Sequence, residues 1–193
     1  MEGVKNLKFF RKNKKAQVWV ETVIYTLIAL TIIGLFLSFA KPKIEEIQDK
    51  SIIEQSVEML EGINEIINSV VEGGAGNQRV IDVMIKEGDL FVDGENDTIL
   101  FKISSKYTFT EPGSDGEWGK YIEVGDIVAR TKKIGKTNTI NLLSNYSQVY
   151  NITYNGEDKL KVVSKSPAIY KITILNKGED KILGGLPKVD ISF

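Results

Sequence analysis

From Thr22 to Ala40 the chain reads TVIYTLIALTIIGLFLSFA, nineteen residues without a charged side chain. Extended back to Val18, the apolar stretch is interrupted by a single carboxylate, Glu21. As an α-helix rising about 1.5 Å per residue, Val18 to Ala40 covers about 34 Å, enough to cross the hydrocarbon core of a bilayer. A buried helix of a soluble core is usually shorter, and it lacks a dense basic flank. Here the first sixteen residues, MEGVKNLKFFRKNKKA, set Lys5, Lys8, Arg11, Lys12, Lys14 and Lys15 against Glu2 alone, a net charge of +5. Basic residues beside a membrane helix stay on the cytoplasmic side. The pattern therefore predicts a single-pass membrane protein with a cytoplasmic amino terminus and everything after Ala40 outside. Trp19 sits where an interfacial anchor belongs.

The same segment admits three readings. A cleavable secretory signal has small residues available at Ser38-Phe39-Ala40, but the apolar run is longer than a usual signal core and contains Glu21. A plain single-span anchor satisfies hydropathy. Neither explains why the basic cluster, a small residue and the lone carboxylate stand so close together.

The run Lys14-Lys15-Ala16-Gln17-Val18-Trp19-Val20-Glu21 resembles the processing site of type IV pilin-like proteins, in particular the archaeal class III signal peptides. The resemblance extends over about Lys14 to Ala40. It implies that a prepilin peptidase cuts between Ala16 and Gln17 on the cytoplasmic side, and that Glu21 is the glutamate at the fifth mature position. Many pilins carry glycine where this chain has Ala16. The resemblance also implies the partners: membrane lipid before assembly, the peptidase, and other copies or other pilin subunits through the helix. A carboxylate in such a helix is costly, so it normally has a partner or a functional reason. The implied partner of Glu21 is the new terminal amine at Gln17 of a neighbouring subunit.

Past Ala40 the pattern turns amphipathic. Ile53, Val57, Leu60, Ile63, Ile67 and Val70 follow steps of three and four, while Glu45, Glu46, Asp49, Glu54, Glu58, Glu61 and Glu65 occupy other faces. This predicts a helix whose one apolar stripe packs under a head, with a bend at Pro42 and a stop at Gly73-Gly74. From Arg79 onward short runs rich in Val, Ile, Tyr and Phe predict strands: 79–85, 89–93, 98–104, 121–130, 139–143, 149–154, 159–164, 168–175 and 189–193. Asn155-Gly156 is the strongest hairpin signal. The predicted class is α+β: a long hydrophobic-then-amphipathic helix followed by an antiparallel, sandwich-like β head. The predicted divisions are a cleaved leader at 1–16, a transmembrane or filament-core helix at 17–40, an amphipathic helix with a Gly-rich stop at 41–76, and an extracellular head at 77–193.

Composition narrows the chemistry. The 193 residues include no His and no Cys, which excludes Cys/His zinc sites, disulfides, thiol nucleophiles and a Ser-His-Asp arrangement. With 25 basic and 26 acidic side chains the whole is almost neutral, unlike a general nucleic-acid binder. Residues 111–123, EPGSDGEWGKYIE, are acidic but lack the spacing of a calcium loop, and read as a solvated turn. No cofactor is expected. Three N-x-[ST] sequons, at Asn96, Asn145 and Asn151, fit an exported and glycosylated surface.

The expectation is thus a non-enzymatic structural subunit of an archaeal type IV pilus-like filament, serving adhesion or surface interaction. The alternative is a membrane-anchored extracellular β domain that binds a ligand and does not polymerise. A third reading, an extracellular carboxylate hydrolase, needs two apposed acids that sequence alone does not locate.

Overall fold

A computed structural model describes residues 14–180 and 185–193. Among the described residues one helix, α1 (Lys14–Glu72), is followed by β strands. The chain divides into two compact units, Met1–Ile44 and Glu45–Phe193. Helix α1 continues through Pro42, where the missing N–H leaves out one helical hydrogen bond.

In the first unit every residue from Val18 to Phe39 is exposed. In the second unit α1 behaves as its stripe predicts. Ile53, Leu60, Ile63, Ile67 and Val70 are buried and Val57 is half-buried, while Glu54, Glu58 and Glu65 face solvent. Helix α1 ends at Glu72, next to the predicted glycines. Gly73 N–H still reaches back to Ser69 O at 3.1 Å, and Gly74 then takes a φ of +84°, a conformation glycine adopts without a Cβ penalty.

The strands are β1 (Gln78–Val83), β2 (Asp89–Asp93), β3 (Thr98–Ser105), β4 (Ile122–Val124), β5 (Ile127–Ile134), β6 (Thr137–Asn145), β7 (Asn151–Tyr154), β8 (Leu160–Ser164), β9 (Tyr170–Asp180) and β10 (Leu186–Ser192). They form a six-stranded sheet in the order β4-β5-β6-β3-β2-β8 and a four-stranded sheet in the order β1-β9-β10-β7. The α+β reading stands, in two sheets dominated by antiparallel pairing. One transverse row shows how the large sheet builds its core: Val163, Leu90, Phe101, Leu142 and Ala129 are successive partners across β8, β2, β3, β6 and β5, and all five are buried. Period-two alternation puts each of them on one face.

Two expectations change. The run 121–130 is two strands, because Gly125 takes a φ of +59° and turns β4 back onto β5. Asn155 and Gly156 do form a tight turn, with φ values of +52° and +81° and with Tyr154 and Glu157 exchanging both backbone hydrogen bonds. Yet it does not lead into a hairpin. Strand β7 pairs in parallel with β10, and β8 leaves for the edge of the other sheet beside β2. The turn is held by β10 instead: the Asp190 carboxylate accepts from Gly156 N–H and from the Thr153 hydroxyl, and Asn155 N–H donates to Ile191 O at 3.1 Å.

Polar side chains fix α1 on the head at four levels. Asp49 accepts from the Ser105 hydroxyl at 3.1 Å and from Lys106 N–H. The Tyr146 hydroxyl donates to Asn64 Oδ1, and the Tyr150 hydroxyl to Asn68 Oδ1 at 2.8 Å. At the carboxyl end Asn176, buried in β9, donates from Nδ2 toward Val70 O and Val71 O at 3.5 and 3.4 Å. The last carbonyls of a helix have no partner within it, so a side-chain amide there acts as a cap.

Candidate functional site

The exposed part of α1 is the most unusual surface of the molecule. Between Val18 and Phe39 it displays Trp19, Tyr25, Phe36 and Phe39 together with many Val, Ile and Leu side chains. Its hydroxyl groups do not interrupt this surface. Thr22, Thr26 and Thr31 donate to the carbonyls of Val18, Thr22 and Leu27 at 2.9, 2.8 and 2.7 Å, and Ser38 donates to Gly34 O at 2.8 Å. Each Ser and Thr hydroxyl is thereby satisfied four residues back along the same helix, as an apolar medium favours. Among the described residues, one helix is long and apolar enough to cross a membrane, and it is this one.

Glu21 lies in the first apolar turns of that segment and is exposed. The proposed processing junction at Lys14, Lys15, Ala16 and Gln17 falls at the start of α1. Those four side chains, and the leader before them, lie outside the described residues.

The sequons separate by burial. Asn96 is exposed in the turn between β2 and β3, where its Nδ2 donates to Asp93 at 2.8 Å. Asn145 is exposed at the end of β6, and its Oδ1 accepts from the Ser147 hydroxyl at 2.9 Å and from Ser147 N–H at 3.1 Å. Asn151 is different. It is 1% exposed within β7, so the folded head closes that sequon to an enzyme while Asn96 and Asn145 are open to solvent.

The acidic loop 111–123 has more structure than a solvated turn. Thr110 anchors it to β5, its hydroxyl donating to Thr131 Oγ1 at 2.8 Å in a buried contact. Gly116 N–H and Gly119 N–H continue along that edge to Lys133 O and Thr131 O at 2.8 and 2.9 Å. Its two limbs touch backbone to backbone: a Cβ on Gly119 would lie 2.1 Å from Glu111 O. The Arg130 guanidinium then lies between the Trp118 and Tyr121 rings, 4.6 and 4.4 Å from their centres, and holds both by cation–π contact. The loop and the start of β4 border an open cleft of about 610 Å³ where Trp118 and Tyr121 meet Glu111, Glu117 and Lys120. Its walls thus combine aromatic rings with side chains of both charges. Arg130 was not legible as its organiser, since nothing in the chain's order brings it between two rings. Among the described residues no cluster of acidic side chains is arranged to hold a metal ion.

No family model, no curated protein and no solved structure matches the chain.

Proposed function

We propose that this chain is a structural subunit of an archaeal type IV pilus-like filament, cut by a prepilin peptidase between Ala16 and Gln17 and assembled through its amino-terminal helix. The observation that carries the reading is the exposed apolar surface of α1 from Val18 to Phe39, whose Ser and Thr hydroxyls are turned back onto the helix and whose one carboxylate is Glu21. Such a surface is stable in lipid and equally stable against other helices of its kind. Burying apolar area is worth about 25 cal/mol per Å² removed from water, so the helix has a strong reason never to face solvent. The head, held outside, carries the surface contacts.

Sequencing the amino terminus of the native membrane protein tests the reading. A mature start at Gln17 supports it; a start at Lys41 would mean a secreted head, and retention of Met1 a simple anchor. The subunit is then sought in filaments sheared from the cell surface. Glu21→Gln should leave membrane insertion intact and lower filament yield, and normal yield from that variant would remove the pairing role.

The cleft beside Trp118 favours a second reading, a membrane-anchored binding domain that does not polymerise. Processing at Gln17 without recovery in filaments would select it.

A further inference from the structure

The head carries two surfaces of opposite character. The first is a groove of about 670 Å³ between α1 and β1, the edge strand of the four-stranded sheet. Its floor is apolar, with Met59, Ile66 and Met84, and Met84 is 49% exposed. Gly62 presents no side chain where α1 borders the groove. The rim is acidic: Glu58, Glu65 and Asp82 stand against one cation, Lys86, which donates to Gln55 Oε1 at 2.8 Å. Asp82 lies 4.0 Å from Lys171. Glu58 and Glu65 have no ion-pair partner among the described residues.

The second surface is the tip of the β5–β6 hairpin. Its turn is Gly135-Lys136, with Gly135 at a φ of +60° and Ile134 paired with Thr137. Ile134 is 59% exposed at the very end. Lys133 and Lys136 flank it and have no ion-pair partner among the described residues. The regular ladder from Val128↔Leu143 to Ile134↔Thr137 stiffens the hairpin behind the tip. An apolar side chain with a lysine just before it and another two residues after it is thus presented on a rigid stalk. No residue of the tip lines the groove of its own chain.

We infer that the β5–β6 tip of one copy docks in the α1/β1 groove of a second copy, with Ile134 on the apolar floor and Lys133 and Lys136 against Glu58 and Glu65. The occupant follows from matching charge and polarity: acidic rim around apolar floor, lysines beside an apolar side chain. Because the two surfaces are different patches, a copy bound through its tip still offers its groove to another, so repeated docking builds a ring or a fibre according to the rotation between copies. The contact lies on the head, separate from the apolar helix, and it rests on the filament reading only in requiring that copies meet at the membrane or in a fibre.

The chain's lack of cysteine allows a clean test. Full-length protein carrying both Ile134→Cys and Met84→Cys is oxidised in native membranes. A ladder of disulfide-linked multimers is expected, with monomer from either single-cysteine chain. Glu58→Lys with Glu65→Lys should cut the ladder by on the order of tenfold, and adding Lys133→Glu with Lys136→Glu should restore it, since reversing both signs preserves attraction. Absence of a ladder, a dimer from Ile134→Cys alone, or linkage to a different protein would each overturn the inference. Filaments recovered by shearing without a ladder would remove the docking and leave the filament reading standing; a ladder without filaments would do the reverse.

Discussion

The hydroxyl of Tyr146 donates to Asn64 Oδ1 in the buried seam between α1 and the end of β6, and Asn64 passes the interaction on by donating from Nδ2 to Asp126 O at 3.4 Å. Tyr146 is 6% exposed and Asn64 7%. Burial pushes the Tyr146 phenol well above its ordinary pKa, so it stays protonated and a donor throughout the physiological range. One tyrosine thereby fixes the helix, the end of β6 and the β4–β5 turn together.

Tyr146→Phe should destabilise the head by about 1–3 kcal/mol, because the Asn64 carbonyl is left buried without its donor. Asn64→Leu in the same background should cost less than the sum of the two changes. A double-mutant cycle by denaturant unfolding measures the coupling, and strict additivity would show the two groups to be independent.

Asp97 and Asp190 should respond to pH in opposite senses. Burial raises the Asp97 carboxyl, and Asp158 and Asp93 nearby add to it, although Ile152 N–H donates to it at 2.8 Å. A raised folded pKa means the ionised form is penalised at neutral pH and relieved as pH falls. Asp97→Asn, which keeps an acceptor and tolerates the φ of +50°, should therefore stabilise at pH 7, by less than about 1 kcal/mol since solvent screens the site. The gain should vanish as pH drops through the folded pKa.

Burial also pushes Asp190 up, but Lys177 at 2.8 Å, Gly156 N–H and the Thr153 hydroxyl together outweigh it and hold the carboxyl below the usual carboxylate range. Its stabilisation is present above the unfolded pKa and is lost as pH falls through the depressed folded value. Asp190→Asn should cost about 1–3 kcal/mol at pH 7 and flatten the acid limb of the stability profile. Thermal unfolding across pH 2–7 of both variants separates the two behaviours, and parallel profiles would contradict the assignment.

Asn176→Ala should cost about 1–2 kcal/mol, near the loss of a helix cap. It removes the donor to the last carbonyls of α1 and the acceptor of Gly178 N–H at 2.8 Å. Hydrogen exchange should quicken at the carboxyl end of α1 before the core strands respond. Uniform quickening would mean the residue matters only globally.

Glycan, where the native protein carries it, should map to Asn96 and Asn145 and be absent from Asn151, whose side chain is enclosed by the fold. Mass spectrometry of peptides from the mature protein checks this directly. Modified Asn151 would show that transfer precedes folding of the head.

Much of the architecture was legible because its signals are local. The apolar run, the stripe from Ile53 to Val70 and the Gly73-Gly74 stop need only the helix period and the glycine conformations. Strand 89–93 matches β2 residue for residue, since alternation and flanking turns bound it on both sides. The pairing of strands was not legible. Asn155-Gly156 specifies a tight turn and nothing about which neighbour its strands will take. The partner of Arg130 was equally hidden, because the two rings approach it from a loop and from a strand edge.

By itself, then, the sequence determined the order of parts: a basic start, an apolar helix with one carboxylate, an amphipathic continuation, and β strands with their inward residues. These follow from periodicity and from side chains acting on their own backbone. Only the tertiary structure decided that β7 runs parallel to β10, that Asn151 is closed while Asn145 is open, and that an acidic groove and a basic tip are separate patches of one head. Those outcomes depend on contacts between residues far apart in the chain, where packing and buried hydrogen bonds choose among pairings that local propensity leaves equal.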